Sequence, residues 1–362
     1  MSSCIGKNIK ISLFGESHGL MIGVTIDGLK PGIKLDMEYI YNELEKRKSL
    51  SNISTPRKEK DAFEIVSGYY NGYTTGTPLT IIVRNENTKS RDYQPTILRP
   101  GHADYTAYLK YSGYQDYRGG GHFSGRLTVG IVIAGAICKQ ILESKGILIG
   151  SHIKQIYNVF DNEYSYDSIK LEKEIKEMNQ SLFPVLNESK KDEMIKVIEG
   201  AKSNKDSVGG IIETAVINLE GGIGEPFFES IESVLSSLVF SIPAVKGIEF
   251  GKGFAFSNMY GSIANDNFYC DENIKTKTNN NGGINGGISN GMPITFKTVI
   301  KPTPSIAQQQ ETVDIQTNEN TTIEIVGRHD PCIVHRARVV IDSMTAIGLL
   351  DLIVQRYGYQ WM

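Results

Sequence analysis

Two histidines stand where a proton donor would be useful. His18 lies in Gly15-Glu16-Ser17-His18-Gly19, directly after a strand-like run, and His102 lies in Arg99-Pro100-Gly101-His102-Ala103-Asp104. A neighbouring glycine lets backbone approach a ligand closely, and an imidazole with an ordinary pKa near ~6.5 exchanges a proton at neutral pH. Arginine and glycine recur together in Arg118-Gly119-Gly120-Gly121-His122-Phe123-Ser124-Gly125-Arg126 and in Gly327-Arg328-His329-Asp330-Pro331. Such pairings suit phosphate and carboxylate recognition, because a guanidinium offers a planar fork of donors and glycine exposes backbone N–H groups. Neither segment has Walker-loop spacing, and Gly119–Gly125 lacks the strand-GxGxxG-helix order of a dinucleotide fold. Asp330 is the carboxylate best placed for chemistry; its structural alternatives are a helix N-cap or an arginine partner.

These motifs need elements to hold them. The most apolar run, Leu127–Ile141, spans about fifteen residues between Arg126 and Lys139, too short for the roughly twenty of a membrane span. It reads as a buried helix, packed on several sides because Gly130, Ala134, Gly135 and Ala136 allow close approach. Arg336–Arg356 has the same character. Both helices follow an arginine- and glycine-bearing motif, which puts those motifs near helix N-termini, where free N–H groups and the dipole favour anions. Ile9–Phe14, Phe63–Ser67, Leu79–Arg84, Ile211–Leu219 and Ile294–Ile300 read as strands that do not alternate regularly with helices, so the expected class is α+β rather than a doubly wound parallel sheet. Asp36 and Asn187 are expected N-caps of amphipathic helices over Met37–Lys48 and Glu188–Ala201. The charge-rich Glu163–Lys205 reads as peripheral, and Asn279–Gly291 as either a disordered linker or a tight ligand loop.

With 362 residues, 40% hydrophobic and 22% charged, the chain can bury a sizeable core, and it is expected to form a single domain over 1–362. A net charge of −3 argues against general nucleic-acid binding while permitting a local cationic pocket. The start, MSSCIGKNIKISLFG, has no secretory pattern, so a cytoplasmic enzyme without a membrane partner is expected. Cys4, Cys138, Cys270 and Cys332 are widely spaced, as in reduced structural thiols, and no metal site is expected. His152 lies outside every motif and is expected to tolerate replacement by alanine.

Three blocks resemble the signature segments of the chorismate synthases: Gly15–Gly19 running on to Ile26-Asp27-Gly28 and Pro31-Gly32; Arg118–Gly121 with Ser124-Gly125-Arg126; and Gly327–Cys332. Between them fall Arg99–Tyr105, Asp206–Gly210, Gly222–Pro226, Ala244–Glu249 and Lys301-Pro302-Thr303, in family order over nearly the whole chain. The resemblance implies a layered β-α-β sandwich with long buried helices against antiparallel sheets, a homotetramer, and an anti-1,4-elimination of phosphate from 5-enolpyruvylshikimate 3-phosphate that requires reduced flavin mononucleotide (FMN). An external flavin reductant is implied as well, since no inserted segment or dinucleotide fingerprint is present.

By position, the resemblance gives His18 a role in phosphate departure, His102 the protonation of reduced flavin, Ser17 and Ser124 proton relay, and Asp330 a place beside flavin N5. Arg47, Arg126 and Arg336 would hold the anionic substrate. Flavin contacts would come from His122, Phe123, Ser124, Pro243, Ala244, Gly286, Lys301, Pro302, Thr303, Pro304, Ser305 and Arg328, which favours the ligand-loop reading of Asn279–Gly291. The chain departs from its relatives in lacking a second arginine after Arg47 within Lys48–Ile53, in carrying His122-Phe123 before Ser124, in Asp342 where glutamate is frequent, and in His335 where proline is frequent. Two competing readings are a flavin-free transferase using Arg99, Arg126 and Arg328, and a flavin-binding protein without turnover.

Overall fold

Alternation sets the first sheet. In a computed structural model that describes residues 3–50, 53–54, 60–86, 94–325 and 330–362, β1 (Cys4–Ile5), β2 (Lys10–Gly15) and β3 (Met21–Asp27) precede α1 (Met37–Lys46). β4 (Phe63–Ser67), the small hairpin β5 (Tyr69–Tyr70) and β6 (Tyr73–Thr74), and β7 (Leu79–Arg84) follow. The antiparallel order is β1-β2-β3-β7-β4. Its register sets Ile22 opposite Val83, Val24 opposite Ile81 and Ile26 opposite Leu79. All six side chains are buried, so the period-2 pattern of both strands feeds one apolar face.

The chain then runs through α2 (Asp104–Tyr111), α3 (Thr128–Ser144), β8 (Leu148–Ile156), β9 (Val159–Phe160), α4 (Ser168–Gln180), α5 (Glu188–Ser203), β10 (Gly210–Ile217), α6 (Ile231–Phe240) and β11 (Val245–Phe250). After α7 (Gly261–Ala264) come two hairpins, β12 (Phe268–Asp271) with β13 (Asn273–Thr276) and β14 (Ile284–Asn285) with β15 (Ile288–Ser289), and then β16 (Ile294–Ile300). A last hairpin, β17 (Gln309–Asp314) with β18 (Glu319–Glu324), precedes α8 (Val334–Tyr357). The second sheet is antiparallel in the order β11-β16-β10-β8-β9. α3 packs on the first sheet and on α8, and α8 packs on β8 and β10, which makes the expected β-α-β sandwich.

Small residues bring these layers together. A methyl at Gly130 would lie 3.0 Å from Leu13 Cδ2 of the first sheet, and one at Gly135 would lie 2.1 Å from Ser343 Cβ of α8. Overpacking either contact costs about 1–3 kcal/mol. The helical stretch Gly125–Ser144 reaches 20 residues, longer than the sequence suggests because a 3₁₀ turn leads into α3, and 83% of its most apolar window is buried in the protein. Burial on all sides, not length, explains its composition. Asp36 and Asn187 cap α1 and α5 through bonds to the N–H groups of Tyr39 and Ser189. The amino-terminal segment is fastened to α8: Asp351 accepts from the backbone N–H groups of Lys7, Asn8 and Ile9 at 3.0, 2.7 and 2.8 Å.

Two expectations change. The Glu163–Lys205 segment is not merely peripheral, because Tyr164, Leu171, Ile175 and Met178 form a small core with Ala215 and Ile217 on the outer face of the second sheet. His152 sits beneath this layer. It is fully buried, with Nε2 2.7 Å from Glu213 Oε2 and Nδ1 3.3 Å from Asp161 Oδ2. A histidine outside every motif thus sits between two buried carboxylates, and alanine there would leave both without their partner.

Candidate active site

A cavity of about 1210 Å³ opens where the β1–β2 edge of the first sheet, the amino-terminal end of α3, the 301–305 turn and the β17–β18 hairpin meet. It exceeds the roughly 300–1,000 Å³ of an ordinary small-molecule site, so there is room for two ligands side by side. The hairpin is joined to the strap before α2 by Leu98 N–H to Val313 O at 3.2 Å and Ile315 N–H to Thr96 O at 3.0 Å.

The His18 loop rests on the glycine turn. Gly119, Gly120 and Gly121 have φ of 63°, 80° and 53°, three left-handed residues in succession that side chains other than glycine rarely adopt. A methyl at Gly119 would come within 2.5 Å of His18 Nε2 and 2.8 Å of Ser17 Oγ. The turn is therefore glycine both for its backbone and because the His18 ring lies directly against it. Ser17 N–H donates to Gly121 O at 3.1 Å, locking the two loops. Asn85 closes the other side, donating from Nδ2 to Glu16 O and Gly19 O at 3.0 and 2.9 Å.

His102 is held by its own loop. One ring nitrogen, Nδ1, meets Pro100 O at 3.1 Å, which makes it the protonated one, and Nε2 meets Ser305 Oγ at 2.8 Å. Burial, and after it the Arg99 guanidinium, pushes the ring down to about 4, so it is neutral at neutral pH. Arg99 in turn grips Asp104 through Nε and Nη2 at 2.8 and 2.7 Å.

His122 and Phe123 extend the wall. His122 Nδ1 lies 2.8 Å from Gly15 O and Nε2 2.8 Å from Ser3 Oγ, so this residue braces the start of the His18 loop. Phe123 meets Tyr111 edge-on with centroids 6.2 Å apart, giving an aromatic side to the cavity. Ser124 caps the turn before α3, its Oγ accepting from Arg126 N–H at 3.3 Å. Pro243, Ala244, Lys301, Thr303, Pro304 and Ser305 line the far side. Ala244 has φ of 74°, a strained value for a residue with a Cβ.

Behind the wall lies a cluster of guanidiniums. Arg336 Nη1 bonds Asp330 Oδ2 at 2.5 Å, and its Nε donates to Arg47 O at 2.9 Å. Asp330 lines the cavity, and it does not cap α8, whose N-cap position is Ile333. Arg47 Nη2 donates to Asp61 Oδ2 at 2.8 Å, while Arg126 Nη1 donates to Asp61 Oδ1. Burial works to raise the Asp61 carboxyl, but Arg47 and Arg126 outweigh it and hold it below the usual range. Arg126 Nε also reaches Asn85 Oδ1 at 3.1 Å, joining this cluster to the His18 loop. Arg47 Nη1 lies 3.5 Å from Thr128 Oγ1, and Thr128 is a cavity residue.

The cavity thus gathers His18, His102, His122, Phe123, Ser124, Pro243, Ala244, Lys301, Thr303, Pro304, Ser305 and Asp330. Ser17, Arg47, Arg126 and Arg336 are buried or half-buried residues outside the lining, and Pro302, exposed beside Gly209, is outside it too. Gly286 is outside this chain's cavity lining, in the β14–β15 turn, where Asn279–Gly291 is an ordered loop fastened by Asp266 to the Asn280 and Asn281 N–H groups at 2.7 and 2.9 Å. Arg328 lies outside the described residues. Asp61 and Asn85 carry no sequence signal: Asp61 ends the charged run Lys58-Glu59-Lys60, which reads as a solvated loop.

Cavity, fold and charge together describe a large small-molecule site backed by guanidiniums and suited to an anionic ligand. The chorismate synthase family model matches residues 9–354. The chain is 44% identical over 356 residues to the chorismate synthase of Dehalococcoides mccartyi, covering 97% of this chain and 96% of that one. It is 45% identical to that of Thermococcus gammatolerans, with 98% of each covered, and 46% to that of Pyrococcus abyssi, with 97% of each. A solved chorismate synthase superposes with a TM-score of 0.78 at 28% identity, over 98% of this chain and 94% of that one. The chain belongs to the chorismate synthase family, whose activity is that of a carbon–oxygen lyase acting on a phosphate.

Proposed function

We propose that this cavity eliminates phosphate from 5-enolpyruvylshikimate 3-phosphate to give chorismate, with reduced FMN bound beside the substrate. The supporting observation is that one cavity large enough for two molecules is lined by His18, His102, Ser124 and Asp330 and backed by Arg47, Arg126 and Arg336. The residues fit the cofactor: Phe123 and Tyr111 offer an aromatic side, and Lys301, Thr303 and Ser305 offer polar groups for a phosphate and a ring edge. When bound, reduced flavin supplies electron density that eases phosphate departure and a position for the C6 hydrogen.

The protein's part is electrostatic and protic. Three guanidiniums against Asp61 and Asp330 leave net positive charge behind the wall, suited to two carboxylates and a departing phosphate. His18, held against Gly119, delivers a proton toward the phosphate. His102, with Nδ1–H committed to Pro100 O, exchanges its proton at Nε2, and an anion facing Nε2 favours the protonated ring that burial and Arg99 disfavour. Asp330 accepts a proton at its carboxylate, with Arg336 holding its orientation; Ser17 and Ser124 relay protons; Pro302 and Arg328 complete the flavin shell.

The assembly is a homotetramer in the cytoplasm, and Gly286, outside its own chain's cavity lining, serves a neighbouring copy. Exposed Phe227 and Phe228, 84% and 92% accessible, support contact with another copy. A separate reductant keeps the flavin reduced. The test is an anaerobic assay following chorismate absorbance: turnover is expected with reduced FMN, and binding without product with oxidised FMN. Full-rate turnover with oxidised FMN or with none refutes the cofactor, and aerobic turnover on NADPH and catalytic FMN alone refutes the external reductant.

A further inference from the structure

We infer that Asp61 is a positioning residue of the reaction: its buried carboxylate, with one oxygen on Arg47 and the other on Arg126, holds the two guanidiniums side by side for the anionic substrate. The inference rests on the reading of Arg47 and Arg126 as substrate-binding residues.

The carboxylate is placed for this task and little else. Asp61 is only 4% exposed, and each oxygen serves a different arginine. Two buried guanidiniums repel one another, and a single carboxylate between them offsets that repulsion while fixing both forks. The backbone contributes: Asp61 has φ of 50°, a left-handed conformation that aspartate and asparagine tolerate better than most side chains. The two arginines depend on it unequally. Arg126 has further partners in Asn85 Oδ1 and, at 3.4 Å, Arg84 O. Arg47 has a buried Nε without a partner and a long 3.5 Å contact to Thr128, so Asp61 provides its one close side-chain bond among the described residues. Loss of Asp61 therefore releases Arg47 first.

Asp61→Asn is the clean variant, since asparagine keeps the shape and tolerates the backbone. An amide presents one acceptor and an NH₂ donor, so one arginine faces a donor and both lose the neutralising charge. The expected result is a rise in KM for 5-enolpyruvylshikimate 3-phosphate of at least about tenfold, with kcat changed less than about threefold. A merely structural role would lower the folded fraction, and with it apparent kcat, while leaving KM alone. Arg47→Gln is measured in parallel and in the double variant: it should raise KM by itself and add little once Asp61 is asparagine. If Arg47→Gln raises KM and Asp61→Asn does not, the positioning role is overturned; if Arg47→Gln leaves KM unchanged, the substrate-binding reading beneath it has failed. Should Asp61→Asn not fold, Asp61→Glu keeps the charge and moves it by one methylene. It should raise KM by about three- to tenfold, and a wild-type KM for that variant overturns the inference.

Discussion

On the outer face of the second sheet, His152 lies between Glu213 and Asp161 with every side sealed; beside the cavity, Asp61 lies between Arg47 and Arg126, one contact behind the wall. The two triads mirror each other, an imidazole between carboxylates and a carboxylate between guanidiniums. Burial opposes the charge in both: it works to lower His152, yet Asp161 and Glu213 together raise it, and it works to raise Asp61, yet the arginines lower it. What separates them is access. The His152 triad bonds inward, to the Tyr164, Leu186 and Asn187 N–H groups at 3.0, 2.6 and 3.0 Å, and ties strands to loops. The Asp61 triad connects through Thr128 and through Arg336 and Asp330 to the cavity lining, and through Asn85 to the His18 loop. A perturbed, buried charge is thus a poor marker of function until its neighbours are known to reach a ligand.

Substitutions can break this contrast. The largest losses of turnover are expected for His18→Ala and His102→Ala, about ten- to ten-thousand-fold each in single-turnover rate, with melting temperature little changed. His152→Ala should do the reverse. It should lose about 3–5 kcal/mol of unfolding free energy in denaturant titration, while the folded fraction turns over normally in the cold. Normal stability with abolished turnover at His152 would erase the distinction between the triads. Asp330→Asn tests the border between them: the amide can still bond Arg336 but cannot take a proton, so reduced-flavin affinity should hold while elimination slows at least about a hundredfold. A variant that binds flavin weakly yet turns over normally at saturation would move Asp330 into the structural class.

The smallest effect concerns His335. Burial, followed by Arg336 and Arg338, drives this ring down to about 3, and its Nε2 meets Ser54 Oγ at 2.9 Å. A histidine depressed on folding contributes stability above its unfolded pKa near ~6.5, and that contribution is lost as pH falls toward the folded value. Replacement by glutamine, which never charges, should therefore flatten the fall in stability between about pH 6.5 and 4 by at most about 1.4 kcal/mol per pH unit. The same slope in both proteins would mean that His335 is not sealed from solvent. His152, raised on folding, contributes in the opposite direction, with stability present below about 6.5 and lost as pH rises through its folded value.

Much of the scaffold is written locally. Leu79–Arg84 and Ile294–Ile300 form strands with the expected bounds because alternation and β-branching agree there, and Asp36 and Asn187 cap the helices expected of them. The glycine turn and both histidine loops are legible because glycine announces unusual backbone. Asp61, Asn85 and the partners of His152 are not, since their roles come from pairings across 14, 41, 61, 65 or 66 residues that no local pattern encodes. Asp342 shows the same limit: it looks like a conservative change from glutamate, but it bonds Ser151 and faces Arg338 at 3.8 Å in a fully buried layer.

The clasp between Asp351 and the N–H groups of Lys7, Asn8 and Ile9 spans 342 to 344 residues. The first strands of the first sheet precede by most of the described chain the carboxylate that fastens their leading end. His18 sits on the connection between β2 and β3, and Ser3, just ahead of the clasped segment, steadies His122. Such distant closure carries a large loop-entropy cost, so the segment that leads into the His18 loop is fastened only when α8 docks. Completing the cavity wall and docking α8 are thereby coupled through one carboxylate.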